Sequence, residues 1–134
     1  MNINQATDYG FRAVLYLAHK DSQEWVDAQT ISEHEAIPIR FLLKIMPCLT
    51  KAGIVKSHRG VRGGYALARQ PQDISLLDVI EAIEGPIYLN RCLEDEAHCS
   101  KQSAPACPIH RTLSDIQDQL VLELSRRTFA QMMQ

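Results

Sequence analysis

At 134 residues the chain has room for one domain and not two, and a chain of this length buries about two thirds of its unfolded surface on folding. Its 46% hydrophobic and 22% charged residues are those of a folded globular protein and exclude disordered, collagen-like and coiled-coil classes. The net charge of −2 gives no reason by itself to expect nucleic acid, but the charges are segregated. Between Ala36 and Gln72 stand seven bases (Arg40, Lys44, Lys51, Lys56, Arg59, Arg62, Arg69) and no acid, while the rest of the chain carries seven bases and sixteen acids, about −9. A local electropositive face on an acidic body is the expectation. The competing view is that these charges only solubilise a small α/β core. No apolar run reaches the ~20 residues that span a bilayer, and the polar stretch Met1 to Gly10 lacks a signal-peptide pattern, so a cytoplasmic protein is expected.

In chain order, Phe11, Val14, Leu15 and Ala18 recur at helical spacing and predict a first helix over about Gln5 to Lys20, capped by Thr7 or Asn4. Trp25-Val26 reads as a short strand, and Asp27 or Thr30 opens a second helix that runs to about Glu35. Pro38 suits the first turn of a third helix, whose apolar face is Leu42, Ile45, Met46 and Leu49 and whose end is Gly53. Arg40, Lys44 and Lys51 lie off that stripe, and Pro47 should kink the helix. Ile54 to His58 and Tyr65 to Ala68 read as strands around the Arg59 to Gly64 turn, where glycine supplies positive φ and two arginines project from the tip. Ser75 caps a helix to Glu84 with Leu76, Val79, Ile80 and Ile83 inward, stopped by Gly85-Pro86.

Periodicity then vanishes from Ile87 to Cys107. A last long helix begins at Pro108, with Ile109, Leu113, Ile116, Leu120 and Leu124 along one side and Val121 and Leu122 widening it. A second copy of the chain is the economical cover for such a face. Ser125 or Thr128 starts a terminal turn ending in Met132 and Met133. The expected architecture is mainly α: a winged helix-turn-helix DNA-binding domain over 1–86 with a small β-hairpin wing, a cysteine-bearing loop over 87–107, and a long C-terminal dimerisation helix and turn over 108–134.

The third helix would enter the major groove with Arg40, Lys44 and Leu43 near base edges or a thymine methyl, and Arg59 at the wing tip would reach the minor groove. Lys51, Lys56, Ser57, Arg62 and Tyr65 would meet phosphates. Cys92, Cys99 and Cys107 follow a Cys-x6-Cys-x7-Cys spacing with His110 three residues beyond. That set has soft-metal chemistry without a ferredoxin or zinc-finger spacing. Zinc held by three cysteines and a histidine, a metal-free thiol switch and an iron-sulfur cluster all remain open at this level. Cys48 reads as a core or helix residue, and His98, beside Cys99, is the other histidine near the set.

Three stretches carry a family resemblance: Asp8-Tyr9-Gly10-Phe11-Arg12-Ala13, Ile37 to Leu49 followed by Lys51-Ala52-Gly53, and Ser57-His58-Arg59-Gly60-Val61-Arg62-Gly63-Gly64-Tyr65-Ala66-Leu67. With the three-cysteine loop, they make nearly the whole chain resemble bacterial iron-sulfur transcriptional regulators of the IscR, NsrR and RirA type. The resemblance implies a homodimeric repressor acting on a double-stranded DNA operator. It also implies an iron-sulfur cluster on Cys92, Cys99 and Cys107, a 4Fe-4S cluster preferred over 2Fe-2S, that senses redox state, nitric oxide or iron. For the fourth ligand, Asp8 of the partner subunit matches the NsrR-like branch and His110 the IscR-like one, with Asp8 preferred on the Thr7-Asp8-Tyr9-Gly10 context. The cysteine gaps are longer than the usual five residues, so cluster type does not follow from them. Rival readings are a cluster-free thiol- or zinc-dependent DNA-binding regulator and a small iron-sulfur electron carrier. No acid/base pair or paired nucleophile suggests an enzyme.

Overall fold

The computed structural model describes residues 2–133. Its elements are α1 (Gln5–Ala18), α2 (Ala28–Glu35), α3 (Ile39–Lys51), β1 (Val55–His58), β2 (Gly64–Leu67), α4 (Leu76–Glu84), α5 (Arg91–Glu94), α6 (Pro108–Arg126) and α7 (Phe129–Met132). Asn4, not Thr7, caps α1: its side chain accepts from the Thr7 N–H at 2.8 Å. Thr7 is buried instead, and its hydroxyl donates to Glu84 at the end of α4. The carboxylate of Asp27 caps α2, which settles the choice between Asp27 and Thr30.

The turn from α2 to α3 passes through Ala36 at φ +55°, a left-handed position that costs a non-glycine residue energy. Two bonds hold it: the Ile37 N–H returns to the Ser32 carbonyl at 3.0 Å, and the buried Ser32 hydroxyl donates to the Ile37 carbonyl. Pro38 is the N-cap of α3 and not a residue of its first turn. The helix continues through Pro47, which lies on its exposed side, to Lys51.

β1 and β2 pair antiparallel with Val55 opposite Leu67 and His58 opposite Gly64. Val26 adds an isolated bridge on the free edge of β2, exchanging both bonds with Tyr65 at 2.9 and 2.7 Å. Gly64 cannot carry a side chain: at φ +153° its Cβ would lie 2.4 Å from the Val26 carbonyl oxygen. The Trp25 ring stacks on His58, the partner of Gly64, with centroids 5.1 Å apart, and the Lys56 ammonium lies 5.5 Å from the Trp25 ring centre. The strand read at Trp25-Val26 is thus a single bridge that completes the wing.

The core is built from α1, α2, α3, α4 and the hairpin, with Val14, Ile31, Ile37, Leu42, Met46, Leu49, Ile54, Ile74 and Val79 fully buried. The segment read as aperiodic contains the short α5 and a 3-10 turn at Glu96–His98, both capped by side chains (Asn90, Asp95) and neither holding a buried residue. Such turns lack a periodic apolar face, which is why pattern reading misses them. Thr128, not Ser125, opens α7 through a capping box with Gln131. It seats Phe129 in the main core against Phe11, ring centroids 6.4 Å apart.

Candidate DNA interface and cysteine site

α3 shows one buried side, Leu42, Ile45, Met46 and Leu49, and one exposed side that bears Arg40, Lys44 and Lys51. Its position is set by the Ala36 turn and by Tyr9 of α1, whose ring lies 6.1 Å from that of Phe41. Arg40 and Lys44 both approach the Phe41 ring, at 5.2 and 6.0 Å. This cation–π contact pre-orders two long side chains that would otherwise lose rotamer freedom on binding. From the wing, Lys56, Ser57, Arg59 and Arg62 are exposed and Tyr65 is half-buried.

Arg69 is the exception among the seven bases. It is turned inward to donate to the Gly53 carbonyl at 3.2 Å and the Asp73 carbonyl at 3.3 Å, with Asp78 3.6 Å away. It staples the end of α3 to the segment before α4. We expect Arg59→Ala to weaken binding to a specific duplex and to lower the slope of log affinity against log salt by about one contact. Titration at several salt concentrations measures both, and an unchanged slope would remove Arg59 from the interface.

The cysteine loop folds back on the start of α6. Cys92, Cys99, Cys107, His98 and His110 line one pocket of about 230 Å³ together with Asn90, Arg91 and Ile109. The His110 Nδ1 is 3.2 Å from the Cys92 Sγ. Cys107 is the N-cap of α6, and the free N–H groups of His110 and Ile109 at the helix start lower its pKa. The backbone N–H groups of Ser103 and Lys101 do the same for Cys99, bringing it to about 7. These two thiols therefore ionise more readily to thiolate, the ligand form, than an ordinary cysteine does.

Cys48 lies apart on α3, with its Sγ 3.7 Å from the Lys44 carbonyl. Asp8 does not line the pocket of its own chain. It is half-exposed on α1 and pairs with Arg12 at 2.7 Å, while Arg12 also donates to the Glu35 carbonyl at the end of α2, at 3.3 Å. Sequence reasoning gave no role to two residues that shape these surfaces: Phe41, which contacts Tyr9, Arg40 and Lys44, and Arg12, whose two partners are far apart in sequence.

Residues 3–134 match the model of the Rrf2 family, described as iron-dependent transcriptional regulators. An rrf2-like helix-turn-helix transcriptional regulator of Rhodobacter capsulatus is 34% identical over 122 residues, covering 85% of this chain and 80% of that protein. A helix-turn-helix transcriptional regulator of Aquifex aeolicus is 31% identical over 120 residues, 90% of this chain and 83% of that protein. Among solved structures, CymR, the global cysteine regulator of B. subtilis, superimposes with a TM-score of 0.77 at 28% identity, covering 99% of this chain and 96% of that one. T. potens IscR does so with a TM-score of 0.72 at 26% identity, covering 98% and 85%. These relatives are transcriptional regulators and not enzymes. A winged helix-turn-helix whose third helix and wing are basic, matched over nearly its full length by such proteins, identifies the chain as a member of the Rrf2 family of DNA-binding transcriptional regulators.

Proposed function

We propose that the chain is a homodimeric repressor whose operator affinity is set by an iron-sulfur cluster held by Cys92, Cys99 and Cys107, and that it answers to redox state, nitric oxide or iron. The observation that carries this is the convergence of three thiols on one pocket, two of them with lowered pKa. Three thiols around one pocket are a donor set that an iron-sulfur cluster accepts, since a cluster presents several irons to thiolates spread around it. When bound, the cluster supplies irons that are labile to nitric oxide, oxygen or iron loss wherever a ligand is weaker than thiolate.

Asp8 of a second copy is the fourth ligand in this reading, and His110 the alternative. Asp8 has a route to the reading head within its own chain. Its carboxylate holds Arg12, and Arg12 holds the last carbonyl of α2, one residue before the turn into α3. Engaging Asp8 elsewhere frees Arg12 and alters what fixes that turn, which is the differential interaction that coupling requires. Homodimerisation is supported by α6, which spans 19 residues with none buried although Ile109 is 65% and Leu122 49% exposed. DNA binding is assigned to Arg40 and Lys44 at base edges, Arg59 in the minor groove, and Lys51, Lys56, Ser57, Arg62 and Tyr65 at phosphates.

Anaerobic purification followed by absorption spectroscopy, iron and sulfide analysis and native mass measurement tests the reading. The expected result is a coloured dimer with iron and sulfide, its chromophore lost in Cys107→Ser and made labile in Asp8→Ala but not in His110→Ala. A colourless protein with one zinc per chain would overturn the cluster, and lability confined to His110→Ala would exchange the fourth ligand. A second reading, control by cluster-free thiol chemistry, is favoured by the Cys99 pKa of about 7 beside Ser103. It predicts a colourless, metal-free protein whose DNA affinity changes with thiol oxidation.

A further inference from the structure

The exposed side of α3 is not uniformly basic. Ile39, Leu43 and Pro47 follow one another at four-residue intervals, so they form a single ridge along the helix. All three are exposed, Leu43 to 52%. The basic residues Arg40 and Lys44 run beside this ridge on the solvent side, opposite the buried stripe, and Lys51 continues the ridge's own row.

Neither the core nor the helix itself explains the ridge. Leu43 buries little in the chain, and Pro47 deprives the Leu43 carbonyl of the N–H that would otherwise bond to it. Proline within a helix is the least favourable choice on propensity, yet it stands at the centre of the face that the fold turns outward.

The occupant is defined by charge. No acid occurs between Ala36 and Gln72, so a polyanion fits this face. In the major groove of DNA the apolar group available to a side chain is the 5-methyl of thymine. We propose that the Ile39-Leu43-Pro47 ridge reads thymine methyl groups, with Leu43 as the central contact, while Arg40 and Lys44 supply hydrogen bonds and charge on its flank. The inference rests on the assignment of α3 to the major groove. It adds a specificity determinant that works by excluding water from a methyl group and not by hydrogen bonding.

The test uses the full-length protein to enrich duplexes from a random-sequence pool. Thymines in the recovered site are then replaced one at a time by deoxyuridine, which removes the methyl and keeps every hydrogen-bonding group. At one or more thymines in each half-site the replacement should weaken wild-type binding about fourfold, the value of one buried methyl-sized group. Leu43→Asn should bind the thymine and uracil duplexes equally. Leu43 is exposed, so circular dichroism and thermal melting of this variant should match the wild type.

Arg40→Ala should lose overall affinity but keep the fourfold difference, which separates the ridge from its basic flank. Sequence-specific binding that ignores every deoxyuridine replacement would overturn the ridge while leaving α3 in the groove. An undiminished methyl effect in Leu43→Asn would overturn it as well. Failure to enrich any duplex would remove α3 from the major groove and the ridge with it, leaving a protein surface as the partner of this face.

Discussion

Phe129→Ala is expected to lower the stability of the chain by about 3–5 kcal/mol, the range for removing a large aromatic ring from a closed core. The ring is 1% exposed and packs against Phe11 of α1. Its backbone is also committed: the Phe129 N–H bonds to the Ile74 carbonyl at 3.0 Å, and the Leu76 N–H bonds to the Arg127 carbonyl at 2.9 Å. These bonds flank the isolated bridge between Ser75 and Thr128. The residues just after α6 are in this way tied to those just before α4, so the ring anchors the long helix to the DNA-reading core. Urea denaturation at fixed protein concentration measures the loss, since the stability of a dimer depends on concentration. Thr128→Ala, which removes only the cap, should cost about 1 kcal/mol. A Phe129→Ala effect no larger than that would show that α7 is not part of the core.

Ile116→Glu should separate the proposed dimer and reduce affinity for a two-half-site duplex by about 10²–10⁴-fold, the advantage that linking two binding modules provides. The side chain is 47% exposed in the single chain and lies midway along the apolar side of α6, between Leu113 and Leu120. A carboxylate there would be desolvated without a partner on association. Sedimentation should show a halved mass while circular dichroism retains the helical signal. A variant that stays dimeric would place the subunit contact on another surface. Because the lost affinity comes from lost bivalency, binding to a single half-site should change little, which distinguishes this variant from Arg59→Ala.

Much of the fold was legible because it is written in local rules. The stripe of Leu42, Ile45, Met46 and Leu49 announces the buried side of α3, Ser75 announces the start of α4, and paired glycines announce the wing. Where two caps competed, as with Asn4 and Thr7, the residue able to reach a neighbour distant in sequence was drawn into the core. Thr7 bonds to Glu84, a contact 77 residues away that no window of sequence contains. Pro47 stays within α3 at the cost of one backbone hydrogen bond, and the buried residues Leu42, Ile45, Met46 and Leu49 stand on both sides of it in sequence.

The cysteine site was legible as a set of ligand types and not as a place. Spacing joins Cys92, Cys99 and Cys107 but does not say that they line one pocket, or that His110 stands 3.2 Å from Cys92. That convergence depends on α5 packing against the first turn of α6. The lowered pKa of Cys107 likewise arises from the α6 start and not from neighbouring charge.

The division of charge shows what each level determines. Sequence alone established that the stretch from Ala36 to Gln72 is basic and free of acids, because charge is a property of residue type and its order along the chain. Only the tertiary structure decided which of those charges are available. Arg69 is spent on the Gly53 and Asp73 carbonyls, Arg40 and Lys44 are braced by Phe41, and Arg59 and Arg62 project from the wing. A side chain's direction depends on which backbone groups and rings the fold brings within its reach, and those partners lie outside any local pattern.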